Sequence, residues 1–281
     1  MNSEKIIELH ESAKRVREHI IKFSSKGGAF IGSAMSCADI LVYLYKCFLK
    51  IDSRNFKDPD RDYFFLSKGH AVPAQYGVFI EIGWMNIDRL ENHLKTNDNI
   101  YWHPNASVSG IEFHSGSLGH LLSIAVGIAI DCKQKNKRNK IVVMLGDGEL
   151  NEGTIWESLL IAQATKLDNL IVIIDRNQIQ ANEKTENLIP LEPLSLKFES
   201  FGCSVKIIDG HNFMDIDEAL TNVPFDKNRP SVIIADTVRG KGIISIESKI
   251  NKWFVDNNDY ETIQYLNELH LARELETEVG I

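Results

Sequence analysis

The sequence lacks a long hydrophobic run, and this argues against a membrane-spanning segment. The apolar stretch at 40–49 is interrupted by Tyr45 and Lys46 and is far too short to cross a bilayer. The first ten residues are polar and amphipathic, so no signal peptide is expected. Repeats and low-complexity tracts are missing as well. A chain of 281 residues, 43% hydrophobic and 25% charged, is expected to form a globular protein.

Cysteine is scarce and unpaired in its spacing. The four cysteines are scattered through the chain at Cys37, Cys47, Cys132 and Cys203. This pattern argues against a disulfide framework and against a zinc site. We expect buried thiols and a cytoplasmic location.

An excess of positive charge is also missing. The net charge of −8 argues against a nucleic-acid partner. One basic stretch, KQKNKRNK at 133–140, lies between a helical pattern and an apolar strand pattern, so we expect it to be a solvated loop.

Strand-like and helix-like segments alternate along the chain, which predicts an α/β fold. Such alternation is typical of a doubly wound parallel sheet with helices on both faces and a ligand site at the carboxyl ends of the strands. A glycine-containing loop is predicted at 26–33, and residues 84–115 are predicted to be irregular with one short helix. The predicted strands are 63–66, 141–145, 170–174, 203–208 and 231–235, and the predicted helices are 3–23, 70–82, 118–132, 152–166, 214–221 and 260–276.

Polar residues follow two consecutive strands of this pattern. Gly146-Asp147-Gly148 comes after one strand, and Asn177 comes after the next. In a parallel βαβ unit both positions emerge at the same edge of the sheet, where two oxygen ligands suit Mg²⁺ with a diphosphate. The two glycines would allow backbone N–H groups to approach phosphate oxygens. An ordinary Asp-Gly turn after the strand stays open as the alternative.

The same region resembles the transketolase family. The segment from Gly146-Asp147-Gly148 to Asn177 is similar to that family's thiamine diphosphate motif. Further matching motifs occur in the family's order, so the resemblance covers about residues 10–255; they are Leu66-Ser67-Lys68-Gly69-His70-Ala71, Trp102-His103-Pro104, Ser115-Gly116-Ser117-Leu118-Gly119 and Gly240-Lys241-Gly242.

The resemblance implies a cofactor site made of thiamine diphosphate and Mg²⁺. By similarity Asp147, Asn177 and the carbonyl of Ile179 would bind the metal. The amide of Gly148 and the side chain of His70 would contact the diphosphate.

It also implies residues around the reacting groups. Gly116, Ser117 and Leu118 would cradle the thiazolium ring, and His103 would hydrogen-bond the hydroxyl beside the donor carbonyl. Glu152 would lie at a subunit interface, in a carboxylate network between two active sites. His70, His103 and Glu152 are therefore the expected catalytic residues.

The implied reaction is the transfer of a two-carbon ketol unit from a ketose to an aldehyde or ketone acceptor, with the cofactor as electron sink. We assign 1–255 to the diphosphate-binding domain and 256–281 to a C-terminal helical extension. The family's activating glutamate lies in a following pyrimidine-binding domain, which this sequence does not contain. We therefore expect a partner subunit that carries that domain, in an α₂β₂ assembly.

Two phenylalanines depart from the family pattern. Phe30 and Phe254 stand where transketolases usually have histidines over the sugar-binding side of the cofactor. An alignment shift or neutral drift would explain this. The alternative is an unusual substrate, such as a less hydroxylated or nucleotide-linked sugar or a simple 2-oxo acid, with a role in unusual-sugar biosynthesis.

Two other functions stay open. The α subunit of a 2-oxo acid dehydrogenase shares the metal and diphosphate motif, although it usually ends in two adjacent asparagines, whereas Arg176 precedes Asn177 here. A noncatalytic cofactor-binding subunit would also retain Asp147, Asn177 and His70.

Overall fold

A five-stranded parallel sheet forms the centre of the molecule. The computed structural model describes residues 1–52 and 54–279, with side chains as far as residue 272. The strands of the sheet are β1 (Tyr63–Leu66), β2 (Ile141–Gly146), β3 (Leu170–Arg176), β6 (Ser204–Asp209) and β7 (Ser231–Asp236), and a separate antiparallel hairpin consists of β4 (Ile179–Gln180) and β5 (Glu183–Lys184). The order in the sheet is β1-β2-β3-β7-β6, which confirms the predicted doubly wound α/β class.

Helices cover both faces of the sheet. They are α1 (Ser3–Ser24), α2 (Ile31–Ser36), α3 (Ala38–Tyr43), α4 (Val72–Glu81), α5 (Leu121–Gln134), α6 (Gly153–Ala164), α7 (Thr185–Leu188), α8 (Leu194–Ser200), α9 (Phe213–Thr221) and α10 (Asp259–Val279). Short 3₁₀ turns occur at Gly69–Ala71, Ile87–Asn92 and Gly148–Asn151, and a π-helical turn occurs at Leu44–Phe48.

The core consists of two apolar layers that the sheet separates. Ile171 and Ile173 of β3 face the layer formed with α1 to α4 and α9. Val172 and Ile174 face the layer formed with α5, α6 and α8. Every residue of β2 and β3 is buried, as expected for central parallel strands that are covered on both sides.

The structure corrects several predicted elements. Helix α2 begins at Ile31, inside the predicted loop, and α3 was not predicted at all. Residues 31–45 are all buried, so they show no amphipathic period from which a helix could be recognised. The hairpin β4-β5 and the helices α7 and α8 were also missed because each is short. Other boundaries differ by a few residues; for example, α5 spans Leu121–Gln134 rather than 118–132.

The C-terminal helix packs on the main body. Tyr265 and Leu269 of α10 are buried in the same apolar layer as α1, and Asn257 donates to the carbonyl of Ile21 at 3.3 Å. Ala29 and Val255 form a short antiparallel bridge. The division at residue 255 stays a prediction.

Within the described part of the chain, no helix is both long and apolar enough to cross a membrane. The basic stretch runs from the end of α5 into a loop, where Lys133 and Lys137 pair with Asp168 and Asp60.

The two-layer core makes an unequal response to truncation the expected result. Ile173→Ala removes a fully buried side chain from β3 and is expected to lower the free energy of unfolding by about 2–5 kcal/mol. Ile207→Ala on the edge strand β6 is the matched control, because that side chain is 58% exposed; its effect should stay within about 0.5 kcal/mol. Urea unfolding measures both, and equal effects would contradict the described burial.

Candidate active site

A cleft of about 470 Å³ opens at the carboxyl edge of the sheet. This volume is in the range of small-molecule sites. Besides Lys68, Glu149, Arg239 and Trp253, the cleft is lined by seven of the residues predicted for the site, namely His70, Leu118, Asp147, Gly148, Glu152, Asn177 and Ile179.

Asp147 sits at the junction of two strand ends. Gly146 pairs with Asp175 in the parallel ladder, so the residues that follow β2 and β3 lie side by side. One carboxylate oxygen of Asp147 accepts from the amide of Gly148 at 2.8 Å, and the other accepts from the amide of Gln178 at 2.5 Å and from Arg176 Nη1 at 3.2 Å. Burial raises the pKa of Asp147 to about 6, and the charge of Asp175 adds to this rise. A bound cation would favour the ionised form of this carboxylate.

Asn177 is held in a fixed orientation. Its Nδ2 donates to Asp175 Oδ2 at 3.2 Å and to Ser36 Oγ at 3.4 Å. Its Oδ1 accepts from the amide of Ile179 at 3.1 Å. The amide oxygen is thereby directed toward the Ile179 side of the cleft, away from Asp175.

A buried ion pair lies beneath Asn177. Lys68 and Asp175 are both fully buried and bond to each other, and Lys68 Nζ also donates to the carbonyl of Ser33 at 3.0 Å. Asp175 accepts in addition from Ser36 Oγ at 2.6 Å and from Thr237 Oγ1 at 2.5 Å. The pair therefore joins the end of β1 to the end of β3 directly below the cleft.

Glu149 is a second buried carboxylate, and no sequence motif indicated it. It accepts from the hydroxyl of Ser67, from the amide of Gly119 at 2.9 Å and from the amide of Gly146 at 3.1 Å. Burial raises the pKa of this carboxyl. These bonds fasten the loop at 115–119 to the turn after β2, and only the tertiary structure reveals them.

The predicted ring-contacting loop lies next to two histidines. Gly116 has φ +135, and a Cβ there would lie 2.9 Å from the ring of His103, so glycine allows this close approach. Ser117 is exposed and Leu118 reaches the cleft. Burial lowers the pKa of His103. The pKa of His70 is lowered further, because of burial and the nearby charge of Lys68. Both rings are therefore neutral near pH 7.

Phe30 and Phe254 stand beside these histidines. The ring of Phe30 lies 5.6 Å from the ring of His70, 6.0 Å from that of His103 and 5.3 Å from that of Phe254, measured between centroids. Phe254 is 44% exposed. The apolar substitutions noted in the sequence thus adjoin the cleft rather than lying elsewhere in the fold.

The donor set fits Mg²⁺ and a diphosphate. The described residues contain no group of three or more His, Cys, Asp or Glu side chains that could hold a metal ion. Asp147, Asn177 and the backbone at Ile179 instead offer one carboxylate and neutral oxygens at the cleft. Few protein ligands of this kind are typical of Mg²⁺ sites that phosphate and water complete.

The family comparison agrees with the fold and the cleft. The profile described as "Transketolase, thiamine diphosphate binding domain" matches residues 15–252. Fold and cleft together define a thiamine diphosphate-binding domain. The chain belongs to the transketolase family, which confirms the resemblance and the enzyme class predicted from the motifs.

Relatives of similar length are separate subunits. One, named as a subunit of apulose-4-phosphate transketolase from Actinobacillus succinogenes, is 36% identical over 245 residues, covering 86% of this chain and 88% of the relative. A 6-deoxy-6-sulfo-D-fructose transketolase subunit of a Clostridium species is 35% identical, covering 88% and 91%. Human transketolase is 32% identical, but this chain spans 40% of its length.

Solved structures share the fold. Transketolase from Leishmania mexicana superimposes with a TM-score of 0.86 at 23% identity, over 93% of this chain and 41% of that one. Transketolase from Campylobacter jejuni gives a TM-score of 0.81 at 25% identity, over 99% and 48%. The chain therefore corresponds to less than half of these transketolases.

The buried ion pair below the cleft generates a stability prediction. Asp175→Asn leaves Lys68 buried without its counter-charge and is expected to lower the free energy of unfolding by about 3–5 kcal/mol. Asp131→Asn is the matched control, since the Asp131–Lys135 pair is about 60% exposed on both sides; it should cost less than about 1 kcal/mol. Urea unfolding of both variants measures the difference. A small effect at Asp175 would show that the pair does not hold the strand ends together.

Proposed function

We propose that this chain is the thiamine diphosphate- and Mg²⁺-binding subunit of a two-subunit transketolase, which transfers a two-carbon ketol unit to an aldehyde or ketone acceptor. The observation that carries this proposal is the convergence of Asp147, Gly148, Asn177, Ile179 and His70 on one cleft at the carboxyl edge of the sheet. The chain's length supports it as well, because it covers about nine-tenths of the relatives that are named as subunits.

In this proposal the strand ends hold the charged part of the cofactor. Asp147, Asn177 and the carbonyl of Ile179 bind Mg²⁺, while the amide of Gly148 and the ring of His70 hydrogen-bond the diphosphate. His70 acts as a neutral donor, because burial and the charge of Lys68 lower its pKa well below the usual value. When bound, the cofactor would supply the electron sink for breaking the carbon–carbon bond of the donor.

The loop and the second histidine would position the reacting groups. Gly116, Ser117 and Leu118 support the thiazolium ring, and Glu149 keeps this loop close to the diphosphate turn. His103 packs on Gly116 and, being neutral, hydrogen-bonds the hydroxyl beside the donor carbonyl. The protein thus contributes orientation and hydrogen bonding.

A partner subunit would complete the site. We infer that it carries the pyrimidine-binding domain with the activating glutamate, in an α₂β₂ assembly. Glu152 lies exposed at the rim of the cleft and adjoins Gly119, so it is available to a carboxylate network across that interface. Two of the relatives are named as one subunit of a transketolase, which supports a divided enzyme.

The substrate would differ from a simple pentulose phosphate. Phe30 and Phe254 place apolar rings beside His70 and His103, where fewer sugar hydroxyls can be bonded. By their names, the two subunit relatives act on apulose 4-phosphate and on 6-deoxy-6-sulfofructose. We infer a donor or acceptor with an apolar or deoxygenated portion near the reacting carbonyl.

Removing the metal-binding carboxylate tests the cofactor assignment. Asp147→Asn keeps the shape of the side chain but loses its charge, so the affinity for thiamine diphosphate with Mg²⁺ should fall by at least about 100-fold. Asp236→Asn, on an exposed aspartate at the end of the neighbouring strand β7, is the control and should bind as the wild type does. Isothermal titration calorimetry measures both affinities. Equal affinities of Asp147→Asn and the wild type would refute the metal assignment.

Restoring polarity tests the substrate assignment. In the enzyme reconstituted with its partner, Phe30→His and Phe254→His should raise kcat/KM for xylulose 5-phosphate by roughly tenfold, since each adds a possible hydrogen bond to a sugar hydroxyl. Phe225→His, beside Ser231 at the opposite edge of the sheet, is the control. Steady-state kinetics with xylulose 5-phosphate and pyruvate as donors decide the matter. Efficient use of xylulose 5-phosphate by the wild-type pair would sink the proposal, and cofactor binding without any turnover would favour a noncatalytic subunit.

A further inference from the structure

Arg239 places a buried positive charge in the wall of the cleft. It follows β7 by three residues, lines the cleft and is 1% exposed. Its Nη1 donates to the carbonyl of Ala181 at 2.7 Å, and its Nη2 donates to the carbonyl of Lys252 at 3.3 Å. Within the part of the chain that the structure describes, its Nε has no hydrogen-bond partner. A buried donor left in this way is costly and needs an explanation.

The surroundings hold this side chain in place. A Cβ at Gly32 would lie 2.9 Å from Arg239 Nε and 3.0 Å from its Cγ, so the glycine of α2 leaves the space that the side chain fills. The guanidinium carbon lies 5.1 Å from the centre of the Trp253 ring. Arg239 is therefore held from three sides at the cleft, and its position is part of the fold rather than one of many surface conformations.

The charge of Arg239 is not neutralised by a neighbouring acid. Burial lowers its pKa to about 10, so it still carries its charge near pH 7. Its strongest attractions are to Asp147 and Asp175, yet among the described residues no carboxylate forms a salt bridge with it. Such a charge, buried without a partner, is unfavourable in a protein.

The other cations near the cleft are already paired. Lys68 bonds to Asp175. Arg176 bonds to Asp147 and also to Glu186 and Glu192. His70 carries no charge near pH 7, because its pKa is lowered well below the usual value. Arg239 is thus the cation of the described cleft wall that still needs an anion.

We propose that Arg239 binds the diphosphate group of the cofactor and supplies the positive charge that Mg²⁺ does not. This rests on the proposed function, since it assumes that thiamine diphosphate occupies the cleft. The diphosphate carries about three negative charges at neutral pH, and Mg²⁺ neutralises two of them. A guanidinium that still has free N–H groups is suited to the remaining charge.

A purely structural role is the competing explanation. Arg239 bonds to the carbonyls of Ala181 and Lys252, so it also joins the hairpin β4-β5 to the segment before α10. If this were its whole role, loss of the side chain would destabilise the protein without cofactor. A charge that awaits an anion predicts the opposite, because its removal relieves an unfavourable burial.

The test compares variants of the full chain by calorimetry with thiamine diphosphate and MgCl₂. Arg239→Met should weaken the binding of thiamine diphosphate by about 10- to 100-fold, and Arg239→Lys should recover most of this loss. Arg229→Met is the matched control, since Arg229 likewise donates to two backbone carbonyls, those of Gly202 and Cys203, at the opposite edge of the sheet. The unfolding temperature of each variant is measured without cofactor.

Each result then has a definite meaning. Weaker binding in Arg239→Met with an unchanged or raised unfolding temperature, and recovery by lysine, supports the proposal. Affinity within twofold of the wild type overturns it, and so does a loss that lysine does not restore and that comes with a lowered unfolding temperature. Arg239→Gln replaces the methionine variant if that variant does not fold. A wild-type chain that binds no thiamine diphosphate contradicts the proposed function itself.

Discussion

The buried carboxylate of Asp175 fixes the geometry on which the cleft depends. Burial alone would raise its pKa, but the charge of Lys68 outweighs this and keeps the pKa below the usual value. The carboxylate therefore stays ionised and accepts hydrogen bonds from Ser36 and Thr237 as well as from Asn177. These donors come from α2, from the segment after β7 and from the end of β3. One charge thus holds the loops around the cleft and sets the direction of the Asn177 amide.

The same logic of paired charges extends across the cleft wall. Lys68 and Arg176 are neutralised by protein carboxylates, whereas Asp147 and Arg239 are not fully matched. Asp147 has its pKa raised by burial, which a cation would reverse, and Arg239 is a buried cation that an anion would stabilise. One unmatched charge of each sign in one cleft is the arrangement expected for a metal ion with an attached diphosphate.

Much of this could be predicted from the sequence, because the signals are local. The apolar strands β2 and β3 and the glycines around Asp147 are visible in short windows, and the order of a βαβ unit brings Asp147 and Asn177 to one edge. The fully buried helices α2 and α3 were missed, since uniform burial removes the periodicity that indicates a helix. Glu149 and Arg239 were missed for another reason. Their importance lies in bonds made or left unmade in the folded chain, and no spacing in the sequence reports these.

The central claim is that the strand ends after β2 and β3 bind a divalent metal together with thiamine diphosphate. A crystal structure of the chain with thiamine diphosphate and Mn²⁺ in place of Mg²⁺ tests it most directly, because the anomalous signal of manganese locates the ion. The account predicts an anomalous peak at metal–oxygen distance, about 2.0–2.2 Å, from Asp147 and Asn177, with the diphosphate alongside. A cofactor bound with the metal elsewhere, or no peak between these two residues at saturating cofactor, would contradict it.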